Sequence, residues 1–228
     1  MDLELINTRT EQDFVTQGTA VLAGRIRQNI DEYGHAIVGL SGGSTPKLIY
    51  EVLGKEKIDW NNVTVFLVDE RYVPSTHADS NQKLIRETLL KNAKIPESQI
   101  VMPNTSLPME ECITQYELAI AEMLSKGIPH LVTLGLGEDG HIASLFPPLG
   151  DEAFGERLVI HTTTDHFAVH DRISVTMVII GSADRKIFFL KGMEKKKVWE
   201  EMQESFDIQR WPAVAALNLG GGVAVTQW

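Results

Sequence analysis

The sequence predicts an α/β fold: doubly wound, with a mainly parallel central sheet, helices on both faces and a smaller mixed-sheet portion in the C-terminal third. Three observations predict it. Short apolar runs alternate with segments of helical period, the runs end in glycine-rich loops, and the rhythm changes after Pro148 towards strands with short connections. At 228 residues the chain fits one core, and no repeat, low-complexity tract or linker divides it, so residues 1–228 are read as a single domain.

Phe14, Val21, Leu22, Ile26 and Ile30 recur at helical spacing between Thr10 and Tyr33, which predicts an amphipathic helix. Residues 35–41 form an apolar strand cut off by Gly42-Gly43-Ser44-Thr45-Pro46, and Leu48, Ile49, Val52 and Leu53 start the next helix. A second unit repeats the plan: a strand over 63–68, a loop from Asp69 to Asp79, and a helix carrying Leu84, Ile85, Thr88 and Leu89. Ile113, Tyr116, Ile120, Met123 and Leu124 mark another helix, stopped by Gly127 and Pro129 before a strand over 130–135. Residues 157–162, 172–180 and 186–190 read as strands, 194–202 as a helix, and 223–226 as an edge strand after the turn Gly220-Gly221-Gly222.

The composition excludes several classes. Hydrophobic residues at 43% and charged residues at 23% lie near globular averages, which argues against disorder and fibrous repeats. A formal net charge of −10, with no basic run longer than Lys195-Lys196-Lys197, argues against a nucleic-acid ligand. A lone cysteine, Cys112, rules out an internal disulfide and a thiolate metal cluster, as a reducing compartment would have it. The N-terminal residues show no export signal and no apolar run reaches the length of a membrane span, so the cytoplasm is the default location.

Three loops carry candidate chemistry. Ser41-Gly42-Gly43-Ser44-Thr45-Pro46 joins a strand to a helix, which suits an anion cradle with Ser44 or Thr45 capping the helix, and equally suits a plain tight turn. It matches neither GxxxxGK[ST] nor GxGxxG, although Gly39-Leu40-Ser41-Gly42-Gly43 satisfies GxSxG and makes Ser41 a rival nucleophile. Asp69-Glu70-Arg71 ends the second strand, where charges either cap the next element or face substrate, Arg71 having the fork that fits a phosphate. Asp139-Gly140-His141 places a carboxylate two residues from an imidazole in a glycine turn, the makings of an acid–base pair. His166 and His170 stand four apart, but their segment does not read as a helix and supplies no third ligand, so no metal is expected.

Taken in order, these segments resemble the 6-phosphogluconolactonase family, itself similar to glucosamine-6-phosphate deaminases and sharing their NagB-like fold. The resemblance rests on residues 39–46, Asp69 to Pro74, Asp79-Ser80-Asn81, residues 135–147, Arg172-Ile173-Ser174-Val175-Thr176 and Phe189-Leu190-Lys191-Gly192. A deaminase would continue its Asp-Gly-His as Ile-Ala-Phe-Asn-Glu-Pro; here Ser144, Leu145 and Phe146 precede Pro147 and the glutamate is missing. The second strand ends Asp-Glu-Arg, where a deaminase usually has Asp-Glu-Tyr. Gln82 in place of a tyrosine, and His170-Asp171 where prolines commonly stand, are departures that leave the loop over 163–172 without an assigned role.

The resemblance implies hydrolysis of 6-phospho-D-glucono-1,5-lactone to 6-phospho-D-gluconate, with His141 as general base oriented by Asp139. It implies substrate and phosphate contacts from Ser41, Gly42, Gly43, Ser44, Thr45, Asp69, Arg71, Asn81 and Arg172, with Lys47 and Lys191 as further candidate cations. Main-chain N–H groups over 135–141 are candidate oxyanion donors. No metal or organic cofactor is expected, and the partner is a small phosphorylated sugar lactone rather than a nucleic acid, a membrane or an obligate protein. A deaminase or isomerase of aminosugar phosphates and a non-catalytic sugar-phosphate sensor are the alternatives.

Overall fold

A computed structural model describes residues 3–205 and 207–228. The chain runs through β1 (Leu3–Thr8), α1 (Glu11–Tyr33), β2 (Ala36–Leu40), α2 (Lys47–Leu53), β3 (Val63–Leu67) and β4 (Asp69–Arg71). It continues through α3 (Asn81–Glu87), β5 (Ile100–Val101), α4 (Met109–Leu124), β6 (Leu131–Leu134), β7 (Val159–Thr163) and β8 (Asp171–Val175). Last come α5 (Met177–Ser182), β9 (Arg185–Lys191), α6 (Met193–Gln203), α7 (Pro212–Asn218) and β10 (Gly222–Gln227). Seven strands form a parallel sheet in the order β1-β10-β9-β6-β2-β3-β5, and β4-β8-β7 form a small antiparallel one. No described helix is long and apolar enough to cross a membrane.

Strand alternation sorts the apolar residues onto two faces. Val38, Val65, Leu67, Ile187 and Phe189 pack with Phe14, Leu22 and Ile26 of α1 and with Ile49, Tyr50 and Leu53 of α2. Ile37, Phe66, Phe188 and Leu190 pack on the other side with α4, α5, α6, α7 and the inner face of the small sheet. The sheet is thus buried on both faces, which is why its strands read as continuous apolar runs.

The structure refines the sequence reading at several points. Asp69–Arg71, expected as loop, pairs with β8, Arg71 opposite Arg172. The strand expected over 172–180 stops at Val175, and Met177–Ser182 becomes α5 because Ile179 and Ile180 turn back to bond the Thr176 carbonyl. Residues 223–226 are no edge: β10 lies between β9 and β1, since the unanticipated β1 adds outside it. The change of pattern expected in the last third is seen as β7 and β8 joining β4 in the small antiparallel sheet while β9 and β10 join the parallel one. Neither Ser44 nor Thr45 caps α2, whose N-cap is Pro46 with no side-chain bond.

Glu70 ties the small sheet to α3. Its buried carboxylate accepts from the N–H of Arg71 (2.7 Å), Asn81 (2.7 Å) and Gln82 (2.8 Å) and from the Ser80 hydroxyl (3.0 Å). Of the two roles open to the Asp69-Glu70-Arg71 charges, capping falls to Glu70, which satisfies the first donors of α3. Burial pushes its carboxyl up, and the four donors pull against that. Glu70→Ala leaves these donors without their acceptor and is expected to cost about 3 kcal/mol or more, read as a lower urea midpoint. An unchanged midpoint would mean that the four contacts add no net stability.

Candidate active site

β2 and β6 lie side by side, but from β2 the chain proceeds towards β3 and β5, while from β6 it proceeds towards β9 and β10. The connections leaving their carboxyl ends therefore part, and a crevice opens between them. A cavity of about 360 Å³ occupies it, lined by residues 41–46, Asp69, Arg71, residues 135–138, His141, Ala143, Phe167, Phe189 and Lys195. A larger groove of about 680 Å³ between α1 and α2 shares no lining residue with this cavity.

The loop after β2 is pinned from below. The Ser41 N–H donates to Thr133 Oγ1 (2.8 Å), and the Tyr50 hydroxyl donates to the Ser41 carbonyl (3.0 Å). Burial pushes the Tyr50 phenol up to about 12, so it stays a neutral donor. Among the described residues nothing accepts from the N–H groups of Gly42, Gly43, Ser44 and Thr45. Four backbone donors are therefore free to meet an anion. Gly42 is required for a reason the sequence did not reveal: a Cβ there would fall on the Asn81 carboxamide oxygen. The Ser41 hydroxyl has Thr133 Oγ1 at 3.4 Å as its polar neighbour and no hydrogen bond to histidine, which removes the geometry a serine nucleophile needs.

The turn after β6 builds the acid–base pair. His141 Nδ1 lies 2.6 Å from Asp139 Oδ1, and the His141 N–H donates to the same oxygen at 3.2 Å. The turn closes through Gly137 N–H to the His141 carbonyl (2.8 Å) and Gly140 N–H to the Gly137 carbonyl (3.1 Å). Any Cβ at Gly137 would collide with both members of the pair. From outside, Arg210 donates to the Asp139 carbonyl (2.6 Å) while its guanidinium stacks 3.9 Å over Trp211. Nothing in the pattern of the last third pointed to these two residues.

Asn81 and Arg172 do not line the cavity. Asn81 Nδ2 donates to the Asp69 carbonyl (2.9 Å) and lies 3.3 Å from its carboxylate, whose other oxygen accepts from Ser144 (2.8 Å). Arg172, buried, spends its Nε on the Val169 carbonyl (2.9 Å), and burial together with the neighbouring Arg71 pulls its guanidinium below the ordinary arginine value. Lys191 pairs with Glu11, and Lys47 is not among the lining residues. The cations in the cavity are Arg71 and Lys195. Arg71 donates to the Asp79 carbonyl (2.9 Å), while its buried Nε has no acceptor among the described residues. Lys195 is the cavity cation that sequence reasoning missed, although it belongs to the one basic run noticed. Burial lowers its ammonium, opposed by the carboxylates of Glu138, Asp139 and Glu194. The 164–170 segment is not helical, and its His166 and His170 stay outside the cavity lining.

A family model described as glucosamine-6-phosphate isomerases/6-phosphogluconolactonase matches residues 9–225. A probable 6-phosphogluconolactonase of Dictyostelium discoideum is 42% identical, covering 96% of this chain and 97% of its own. The 6-phosphogluconolactonase of Synechocystis is 34% identical, covering 89% and 86%. The crystal structure of 6-phosphogluconolactonase from Thermotoga maritima matches with a TM-score of 0.86 at 26% identity over 99% of both chains. A monomeric glucosamine-6-phosphate deaminase matches with a TM-score of 0.83 at 20% identity over 98% of this chain and 96% of its own, a likeness of fold.

Burial raises the Asp139 carboxyl, but the hydrogen bond and charge of His141 outweigh it and hold the group below the usual aspartate value. The sign follows: this pairing adds stability above the ordinary carboxylate range and loses it as pH falls through the depressed value of Asp139. A carbon-13 NMR titration of the Asp139 carboxyl is expected to report that depression. In His141→Ala, which removes the imidazole's hydrogen bond and charge while the backbone donors stay, the value should rise. An identical titration in both proteins would dissolve the pair.

Proposed function

The chain belongs to the glucosamine-6-phosphate isomerase/6-phosphogluconolactonase family, and we propose that it hydrolyses 6-phospho-D-glucono-1,5-lactone to 6-phospho-D-gluconate, a step of the oxidative pentose phosphate pathway. The observation that carries this reading is the 2.6 Å contact between His141 and Asp139 in a cavity that also holds Arg71, Lys195 and the open N–H groups of residues 42–45.

The phosphate docks on the 42–45 loop, with Arg71 and Lys195 supplying positive charge from the cavity wall. This fixes the lactone carbonyl near His141. With Nδ1 engaged by Asp139, Nε2 is the nitrogen that takes a proton from water. Water attacks C1, a tetrahedral oxyanion forms, and its collapse breaks the bond to the ring oxygen, which receives the proton back from His141. The N–H groups of Gly137, Gly140 and His141 are committed within the turn, so the oxyanion's donors are sought among the remaining N–H groups over 135–139. Each step uses only side chains, backbone and water, because a lactone is already electrophilic.

Position 146 favours hydrolysis over deamination. Where a deaminase would place a glutamate before the proline, Phe146 packs its ring 4.8 Å from His141, and no second acid stands there. The lone buried cysteine suits a reducing compartment, and we take the cytoplasm as the location.

With spontaneous hydrolysis subtracted, His141→Ala is expected to lower kcat about 10²–10⁴-fold with KM little changed. Lys195→Ala should instead raise KM. Undiminished turnover in His141→Ala would remove the histidine from its role, and ammonia release from glucosamine 6-phosphate by the wild type would replace the lactonase reading with the deaminase one.

A further inference from the structure

The 164–170 segment, left without a role by the sequence, carries one side chain into the cavity: Phe167. Its ring meets the His141 imidazole edge to face, with centroids 5.3 Å apart and planes at 79°. Phe146 approaches the same imidazole at 4.8 Å, and the two phenyl rings lie 6.2 Å from one another. The Cβ–Cγ torsion of a histidine is intrinsically broad, and the Asp139 bond at Nδ1 narrows it only to the range that one hydrogen bond tolerates, within which Nε2 still swings. Two aromatic neighbours at these distances remove that freedom.

The segment is built to hold the phenyl ring where it is. Thr164 N–H bonds the His170 carbonyl (3.1 Å) and closes the loop at its base, and His166 N–H bonds Thr164 Oγ1 (3.2 Å). Arg172 on β8 donates from Nε to the Val169 carbonyl (2.9 Å) and sets its guanidinium carbon 5.7 Å over the Phe167 ring. Phe167 remains 37% exposed, and its ring neighbours are His141, Phe146 and the Arg172 guanidinium, all at or beside the site.

We propose that Phe167 is a positioning residue for the reaction, clamping the His141 imidazole in the rotamer that aims Nε2 at the attacking water, with Arg172 as the post that carries the clamp. The proposal rests on His141 being the general base. It gives Arg172 a task that its absence from the cavity lining leaves open. A base displaced by a fraction of an ångström costs turnover and leaves phosphate capture untouched, so the effect belongs in kcat.

The test compares Phe167→Ala, Phe167→Leu and Phe167→Tyr on freshly generated 6-phosphogluconolactone, together with the NMR shifts of the His141 ring protons in each protein. The alanine and leucine variants are expected to lose about tenfold in kcat with KM within twofold of wild type. Tyrosine, which keeps the ring, should restore kcat. The His141 ring protons should move in the alanine and leucine variants and return in the tyrosine one. An unchanged kcat, or a rise in KM alone, would overturn the proposal, the latter making Phe167 a wall for the substrate. A wild-type protein without lactonase turnover would sink the functional reading instead, and the His141 ring-proton shifts would still decide whether Phe167 holds the imidazole.

Discussion

Everything in the site depends on the parting of two parallel neighbours, β2 and β6, whose carboxyl ends face one crevice while the chain leaves them in opposite directions. The parting alone would leave a slack gap. What sets it is the knot beneath, where Thr133 of β6 accepts from the Ser41 N–H and lies 2.8 Å from the Tyr50 hydroxyl of α2. Both walls of the crevice are thereby fixed to one buried side chain. The anion loop and the acid–base turn cannot drift apart without breaking bonds that water cannot reach to replace.

Around that knot the motifs that look separate in the sequence turn out to hold one another. Asp69, at the end of the path from β3, receives Ser144 from the segment after the acid–base turn and Asn81 from the start of α3. Asn81 in turn occupies the space that Gly42 leaves by lacking a side chain. Glu70 fixes the same helix start from its other side. The residues expected to touch phosphate thus divide into those that line the cavity and those, Asn81 and Arg172, that hold the lining in place. Sequence proximity to a motif cannot separate these two classes, because both must lie near the site to do their work.

The legible part of the fold was the part with a period. α1, α4 and the strands β2, β3, β6 and β9 carry apolar patterns that any packing must respect, and they lie close to where the patterns put them. β5 escaped because two residues hold no period, and α7 because Pro212–Asn218 is buried almost throughout and presents no polar face. α5 was mistaken for strand for the same reason: Met177–Ser182 is short and rich in apolar residues, which suits either element. At the site, the contact between Asp139 and His141 was readable because both types stand two residues apart in one glycine turn. Lys195 was not, because only the fold of α6 against the crevice sets it apart from Lys196 and Lys197.

The molecule carries a formal charge of −10, yet the crevice is served by Arg71 and Lys195. Surface charges are screened beyond roughly 8 Å at physiological ionic strength, so a phosphorylated ligand is drawn in only once it is already at the mouth. Opening a lactone creates a carboxylic acid, and near neutral pH that acid is ionised. The molecule that leaves therefore bears one more negative charge than the one that entered, and in the proposed pose the new charge forms beside Glu138 and Asp139. In the reaction proposed here, the short stretch of chain that starts it thus also sets two carboxylates against the product, which favours clearing the crevice for the next molecule.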